Sequence, residues 1–229
     1  MTADDPALRR QALQATAQFL VALAVLLLLP AWTLFYWQAW LYWLIFAAAS
    51  IGGTLYFLKH DPALVVRRMA AGPGAEKEKS QMRIMTAASA CIIALFVVPG
   101  FDHLFGWSAV PIPIVLLADV AVVLGYYFVF VVLQENSYAS ATIETGRDQL
   151  VIATGPYALV RHPMYSGALL MFGATPLALG SYWGLLLVIP LAAVLAWRLI
   201  DEEQFLIRKL RGYVAYRQDV RYRLIPGIW

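Results

Sequence analysis

Charge is what this sequence has least of. Of its 229 residues, 14% are charged and 62% are hydrophobic, whereas a soluble domain carries roughly a quarter charged residues. So little polar surface cannot cover a core of this size in water, and a soluble globular fold is excluded. Cysteine is nearly absent. Cys91 stands alone inside an apolar run, which excludes a disulfide framework or a cysteine-based zinc site within one chain and leaves a small buried hydrophobe. No G-x-G-x-x-G follows a strand-like run, so the dinucleotide-fold signature is missing. There is no tandem repeat and no low-complexity tract, and a net charge of +3 does not suggest a nucleic-acid partner.

What is present is apolar sequence in blocks near bilayer length. Six spans can be drawn: about Thr16–Tyr36, Ala39–Leu58, Ile84–Val98, Pro111–Leu133, Pro163–Leu179 and Tyr182–Trp197. The third, fifth and sixth are short, so tilt or neighbouring helices must satisfy their ends. The 17 basic residues alternate along this map. Arg9 and Arg10 precede the first span, and Lys59, Arg67, Arg68, Lys77, Lys79 and Arg83 lie between the second and third. Arg147 and Arg161 lie between the fourth and fifth, and seven more follow the sixth from Arg198 onward. The other three connections carry none, so both termini are expected on the cytoplasmic side. The polar start, MTADDPALRRQALQAT with Asp4 and Asp5, leads into no convincing cleavage site, so the first apolar segment is expected to stay in the membrane.

The fold class expected is therefore all-α, a polytopic transmembrane bundle of about six spans with a cytoplasmic amphipathic C-terminal helix. Residues 1–133 form the N-terminal transmembrane helices, about four spans. Residues 134–229 form a catalytic region of cytoplasmic loop, two-span hairpin and tail. The EKEK run at Glu76–Lys79 reads as a solvated loop on anionic headgroups, and the aromatics of Trp32–Trp43 as interfacial anchors. The tail from Asp201, with Phe205, Leu206, Leu210 and Tyr213, reads as an amphipathic helix along the interface.

Three stretches gather polar chemistry at the expected cytoplasmic end. In TGPYALVRHPMYSG (154–167), Gly155-Pro156 turns the chain and Pro163 suits the first turn of a helix. Arg161 and His162 then stand at a helix N-terminus, where free N–H groups, the positive helix end and a guanidinium favour a carboxylate or phosphate. Gly167 allows a close approach, and Tyr165 points to a similar side as His162. The plainer reading is an ordinary topological arginine and a locally bonded histidine. In WRLIDEEQF (197–205), Arg198 and Glu202 have the spacing of a simple pair. Acids at a helix C-terminal end oppose the macrodipole, which points at least one of Glu202 and Glu203 towards a ligand ammonium or ribose hydroxyl. A hairpin of the last two spans brings His162 and Glu203 to one depth, an arrangement suited to a zwitterionic amino-acid moiety. In RYRLIP (221–226), the arginines read as headgroup contacts or as a lid. Asp119 is the one acid deep in lipid, either a substrate-side group or a partner within the bundle; Asp102 and His103 lie at the opposite face.

The pattern GPYxxVRHPxYxG, then RxxxEExxL (Arg198, Glu202, Glu203, Leu206), then YxxYxxxV with a terminal RLIP, resembles the isoprenylcysteine carboxyl methyltransferase family and the related phospholipid methyltransferases. The resemblance covers about Asn136 to Pro226. It implies a membrane-embedded methyltransferase that uses S-adenosylmethionine without a soluble Rossmann domain. Carried over, His162, Tyr165, Gly167 and Glu203 contact the cofactor with the backbone near Val160–Pro163, and Arg223 closes the site or orients the acceptor. Tyr157 or Tyr165 adds cation–π attraction to the sulfonium. Arg161 is suited to hold an acceptor carboxylate, while His162 or the acid Glu202 is suited to deprotonate a thiol or amine. Fewer spans, the extra basic residue in VRYRLIP and Gly212 before Tyr213 look more like a bacterial branch, which implies an inner-membrane location and leaves the acceptor open. An isoprenylcysteine-like carboxylate from the bilayer is favoured. A phospholipid, thiol or amine acceptor and a non-catalytic binder of lipid headgroups remain as alternatives; a transporter is disfavoured by the lack of repeats.

Overall fold

The apolar blocks fold as helices because a chain in hydrocarbon must satisfy every backbone N–H and C=O within itself. The computed structural model describes residues 6–69, 73–76, 79–139 and 150–229. Asp4, Asp5, Lys77 and Arg147 of the charge map lie outside these. Among the described residues the helices are α1 (Pro6–Leu28), α2 (Trp37–His60), α3 (Pro62–Met69), α4 (Lys79–Phe105), α5 (Ile112–Glu135), α6 (Pro163–Ala178), α7 (Val188–Lys209) and α8 (Tyr213–Asp219). The protein is an all-helical polytopic bundle.

Among the described residues, five helical stretches are long and apolar enough to cross a membrane: α1, α2, α4, α5, and α7 with the 3-10 turn before it, Trp183–Lys209. The sixth expected span, α6, has 16 residues, about 24 Å at roughly 1.5 Å per residue, short of an apolar layer about 30 Å thick. Protein groups cover both its ends. Tyr36 donates its hydroxyl to Leu179 O at 2.5 Å just beyond one end, and residues 220–224 fold over the other.

Two span boundaries differ from the sequence expectation. α4 is not short. It runs 27 residues, through Pro99 to Phe105. The sixth span does not stop at Trp197 either: α7 continues through the acids to Lys209. Asp201, Glu202 and Glu203 are therefore helix-interior residues, and opposition to the macrodipole does not apply to them. The tail holds no long interfacial helix after Asp201. It consists of the end of α7, a turn at Gly212 (φ 90°) and the seven residues of α8.

The core lies among α1, α2, α4, α5 and α6, where Leu23, Leu27, Tyr42, Phe46, Phe96 and Val122 are buried together. Tyr42 meets Thr175 Oγ1 at 2.8 Å there. α5 and α6 approach most closely. A Cβ on Gly125 would stand 2.8 Å from Met171 N, and one on Gly167 would stand 2.8 Å from Val129 Cγ2. The three connections without basic residues meet at one end of the bundle. Asp102 accepts hydrogen bonds from Ser108 (2.7 Å) and Ser181, and Tyr36 stacks on His103. The polar motifs gather at the other end.

Candidate active site

Three helices each turn a helical stripe towards one space. Met85, Ala88 and Ile92 of α4 recur at i, i+3, i+7, as do Tyr165, Ala168 and Phe172 of α6 and Leu195, Arg198 and Glu202 of α7; all nine line a cavity of about 430 Å³. That volume falls within the roughly 300–1,000 Å³ of small-molecule and cofactor sites. The cavity is apolar where Ile92, Ala168, Phe172 and Leu195 face one another. It is polar where Arg68, Asn136, Tyr157, His162, Arg198 and Glu202 converge.

The polar wall is held by a chain of buried bonds. Tyr165 donates to Glu202 Oε2 at 2.6 Å and accepts from Arg198 Nε at 3.0 Å. Arg198 Nη2 donates to Glu76 Oε1 at 2.9 Å. Glu76 is 5% exposed, so the first residue of EKEK is a buried ion-pair partner and not part of a solvated loop. Arg198 likewise does not pair directly with Glu202 as its spacing suggested; the Tyr165 hydroxyl stands between them. Asn136 Nδ2 donates to the Tyr157 hydroxyl at 3.0 Å, and the Tyr157 carbonyl accepts from Tyr216 at 2.7 Å. Burial pushes the Tyr157 phenol up to about 12, the Asn136 bond opposing it and the Glu202 charge adding to it. Burial also raises the Tyr213 and Tyr216 phenols, the Glu203 charge adding at Tyr213.

Behind this wall lies a second cluster. Glu203 sits one residue, about 100°, round α7 from Glu202, and is 4% exposed. Its Oε1 accepts from Arg161 Nε at 2.6 Å, its Oε2 from Arg223 Nε at 3.0 Å, and His162 Nε2 lies 3.4 Å from Oε1. Arg161 Nη1 donates to the carbonyls of Val220 and Arg221 at 2.9 and 2.8 Å. The Arg161 and His162 backbone N–H groups donate to Tyr222 O and Arg223 O, both at 2.9 Å. Ser166 Oγ reaches Leu224 O at 2.7 Å.

These contacts narrow the reading of the RHP turn as an anion site. Pro163 has no N–H, and residues 220–223 together with Glu203 take Nε, Nη1 and the backbone N–H of Arg161 and the backbone N–H of His162. Of the sequence-selected residues, Tyr157, Arg161, His162, Pro163, Tyr165 and Glu202 line the cavity, whereas Val160, Gly167, Glu203 and Arg223 do not. Gly167 allows a close approach, but of α5 rather than of a ligand. Arg223 holds Glu203 and lies against the Trp229 ring, 5.2 Å from its centroid, so it acts as a clasp between the C-terminal segment and α7. Asp119 is 4% exposed and neither oxygen has a hydrogen-bond partner among the described residues; it does not line the cavity. Sequence reading missed Glu76 and Arg68. The first was hidden in a charge run and the second in the topological count of basic residues.

A family model described as phospholipid methyltransferase matches residues 113–211. The match contains α5, the RHP turn, α6 and all of α7. No curated protein matches the chain. The matched residues, less than half of the chain, are similar to the phospholipid methyltransferase family and contain the RHP turn and the acids of α7.

Proposed function

We propose that the protein is an S-adenosylmethionine-dependent methyltransferase acting on a lipophilic acceptor that enters from the bilayer. The observation that carries this reading is the two-part cavity, polar against Tyr157, Tyr165 and Glu202 and apolar among α4, α6 and α7. The donor set fits the cofactor: a carboxylate suits an ammonium or ribose hydroxyls, and aromatic faces suit a sulfonium. Bound S-adenosylmethionine supplies a methyl group already activated on sulfonium sulfur. The chain's own residues then have to position, exclude water and balance charge; no covalent nucleophile is called for. Glu202, held by Tyr165, is assigned to the cofactor's cationic side, and Tyr157 with His162 and Pro163 forms the wall beside it. Because the basic residues gather at the cavity's end of the bundle, that end is assigned to the cytoplasm and the family's bacterial inner-membrane branch.

An isoprenylcysteine-like carboxylate is the favoured acceptor. A phospholipid amine is the second reading, favoured by the description of the matching family; in that case Glu202 or His162 would take the amine proton. Purified protein incubated with methyl-labelled S-adenosylmethionine and a panel of prenyl-thioether carboxylates, phospholipids, thiols and amines tests this. Label should enter one lipophilic class and depend on the cavity residue Glu202. Absence of transfer to every class, with cofactor bound, would sink the proposal.

A further inference from the structure

α3 forms because Asp61 caps it, its Oδ1 accepting the Leu64 N–H at 2.9 Å, and because Pro62 suits the first turn. Leu64 is 1% exposed and packs with Phe57, Phe130, Ala139 and Met164. Arg68 lies one turn further on the same face, so the packing that anchors Leu64 aims Arg68 into the cavity, which it lines. Arg67, one residue round, turns away to Asp61 and the Ser137 carbonyl.

Each of the other two arginines lining this cavity has its carboxylate: Arg161 has Glu203 and Arg198 has Glu76. Arg68 has none among the described residues. Among the described residues its one polar contact is Nη1 to Met164 Sδ at 3.9 Å, and a thioether is a weak acceptor that neutralises nothing. Burial lowers the pKa of Arg68, the Tyr126 and Tyr157 phenols opposing this in part. A partly buried guanidinium with no carboxylate partner among the described residues is costly, and it lines the same cavity as the apolar Ile92, Phe172 and Leu195.

We propose that Arg68 is the specificity-determining residue of the cavity, pairing with an anionic oxygen, carboxylate or phosphate, on the head of the lipophilic acceptor. The inference rests on the methyl-transfer reading and adds the acceptor's charge to it. With a carboxylate, the O–CH3 bond forms as the S–CH3 bond breaks; carboxylate and sulfonium charges vanish together and no proton moves. The ester formed has lost its hold on Arg68, which favours release. With a phosphate, the anion is an anchor that outlasts methylation of another atom.

Three probes of one chain length in a non-ionic detergent separate these cases: farnesylthioacetic acid, its methyl ester, and farnesyl phosphate, each titrated calorimetrically into the full chain alongside S-adenosylmethionine. Wild type should bind one anion at least tenfold tighter than the ester, the tighter of the two naming the source. Arg68→Gln should bring that ratio within twofold, Arg68→Lys should retain part of it, and S-adenosylmethionine affinity should stay within twofold in both. The proposal is overturned if neither anion beats the ester on wild type, if Arg68→Gln leaves the ratio unchanged, or if it weakens the cofactor as much as the anions. Should Arg68→Gln not fold, the wild-type ratio and Arg68→Lys still decide. Failure of wild type to bind S-adenosylmethionine would remove the methyl-transfer reading while leaving the anion preference separately measurable.

Discussion

Arg161 donates to Glu203 at 2.6 Å across 42 positions of sequence, and both side chains are buried. The pair ties the turn before α6 to α7, and Arg223 on the other carboxylate oxygen ties in the C-terminal segment. Removing one partner of a buried pair costs roughly 3–5 kcal/mol. Glu203→Ala should lose stability of that order in denaturant unfolding of the purified protein. A loss under about 1 kcal/mol, the range of an exposed pair, would count against the clasp.

The crossing of α5 and α6 makes a second prediction. A Cβ on Gly125 would come within 2.8 Å of Met171 N and 2.9 Å of Gly167 O, backbone atoms with no rotamer to turn aside. Overpacking of this kind costs typically about 1–3 kcal/mol. Gly125→Ala should lower unfolding stability by that amount, whereas Gly53→Ala, whose Cβ would meet Tyr126 Oη at an ordinary 3.8 Å, should change little.

Asp119 is a buried acid whose oxygens have no hydrogen-bond partner among the described residues. An unsatisfied buried polar group costs about 1–3 kcal/mol. Asp119→Leu should therefore raise the unfolding midpoint and leave S-adenosylmethionine affinity unchanged. Loss of affinity at unchanged stability would instead place Asp119 in the ligand path.

The Tyr157 phenol, raised from the usual value near 10 to about 12 by burial, gives a pH signature. Its folded value lies above its unfolded one, so its contribution is fully present below pH about 10 and is lost as pH rises through about 12. Tyr157→Phe should be less stable than wild type at pH 9, and the gap in melting temperature should narrow between pH 10 and 12. A constant gap over that range would contradict the assignment.

Much of this architecture is legible in the sequence. The apolar blocks and the alternation of basic residues give the helices and the shared end of the motifs, and Gly155-Pro156 and Pro163 mark the turn they make. Two boundaries are not legible because hydropathy and helix are different properties. α7 continues beyond Trp197 as an amphipathic helix, with Leu195, Leu199 and Glu203 on one buried face, and Pro99 is accommodated inside α4. The choice between Glu202 and Glu203 is one of phase, visible once Leu195 and Arg198 are known to face the cavity. The pairing of Glu76 with Arg198 spans 122 positions, and no local pattern announces it.

In the proposed assignment the cavity between α4, α6 and α7 binds S-adenosylmethionine through Glu202, and Glu203 serves the fold. Calorimetric titration of S-adenosylmethionine into wild type and Glu202→Gln, each with a thermal melt, separates the two roles. Wild type should bind saturably and Glu202→Gln at least tenfold more weakly, about 1.4 kcal/mol, at an unchanged melting temperature. No binding to wild type, or equal affinity in the variant, would contradict it.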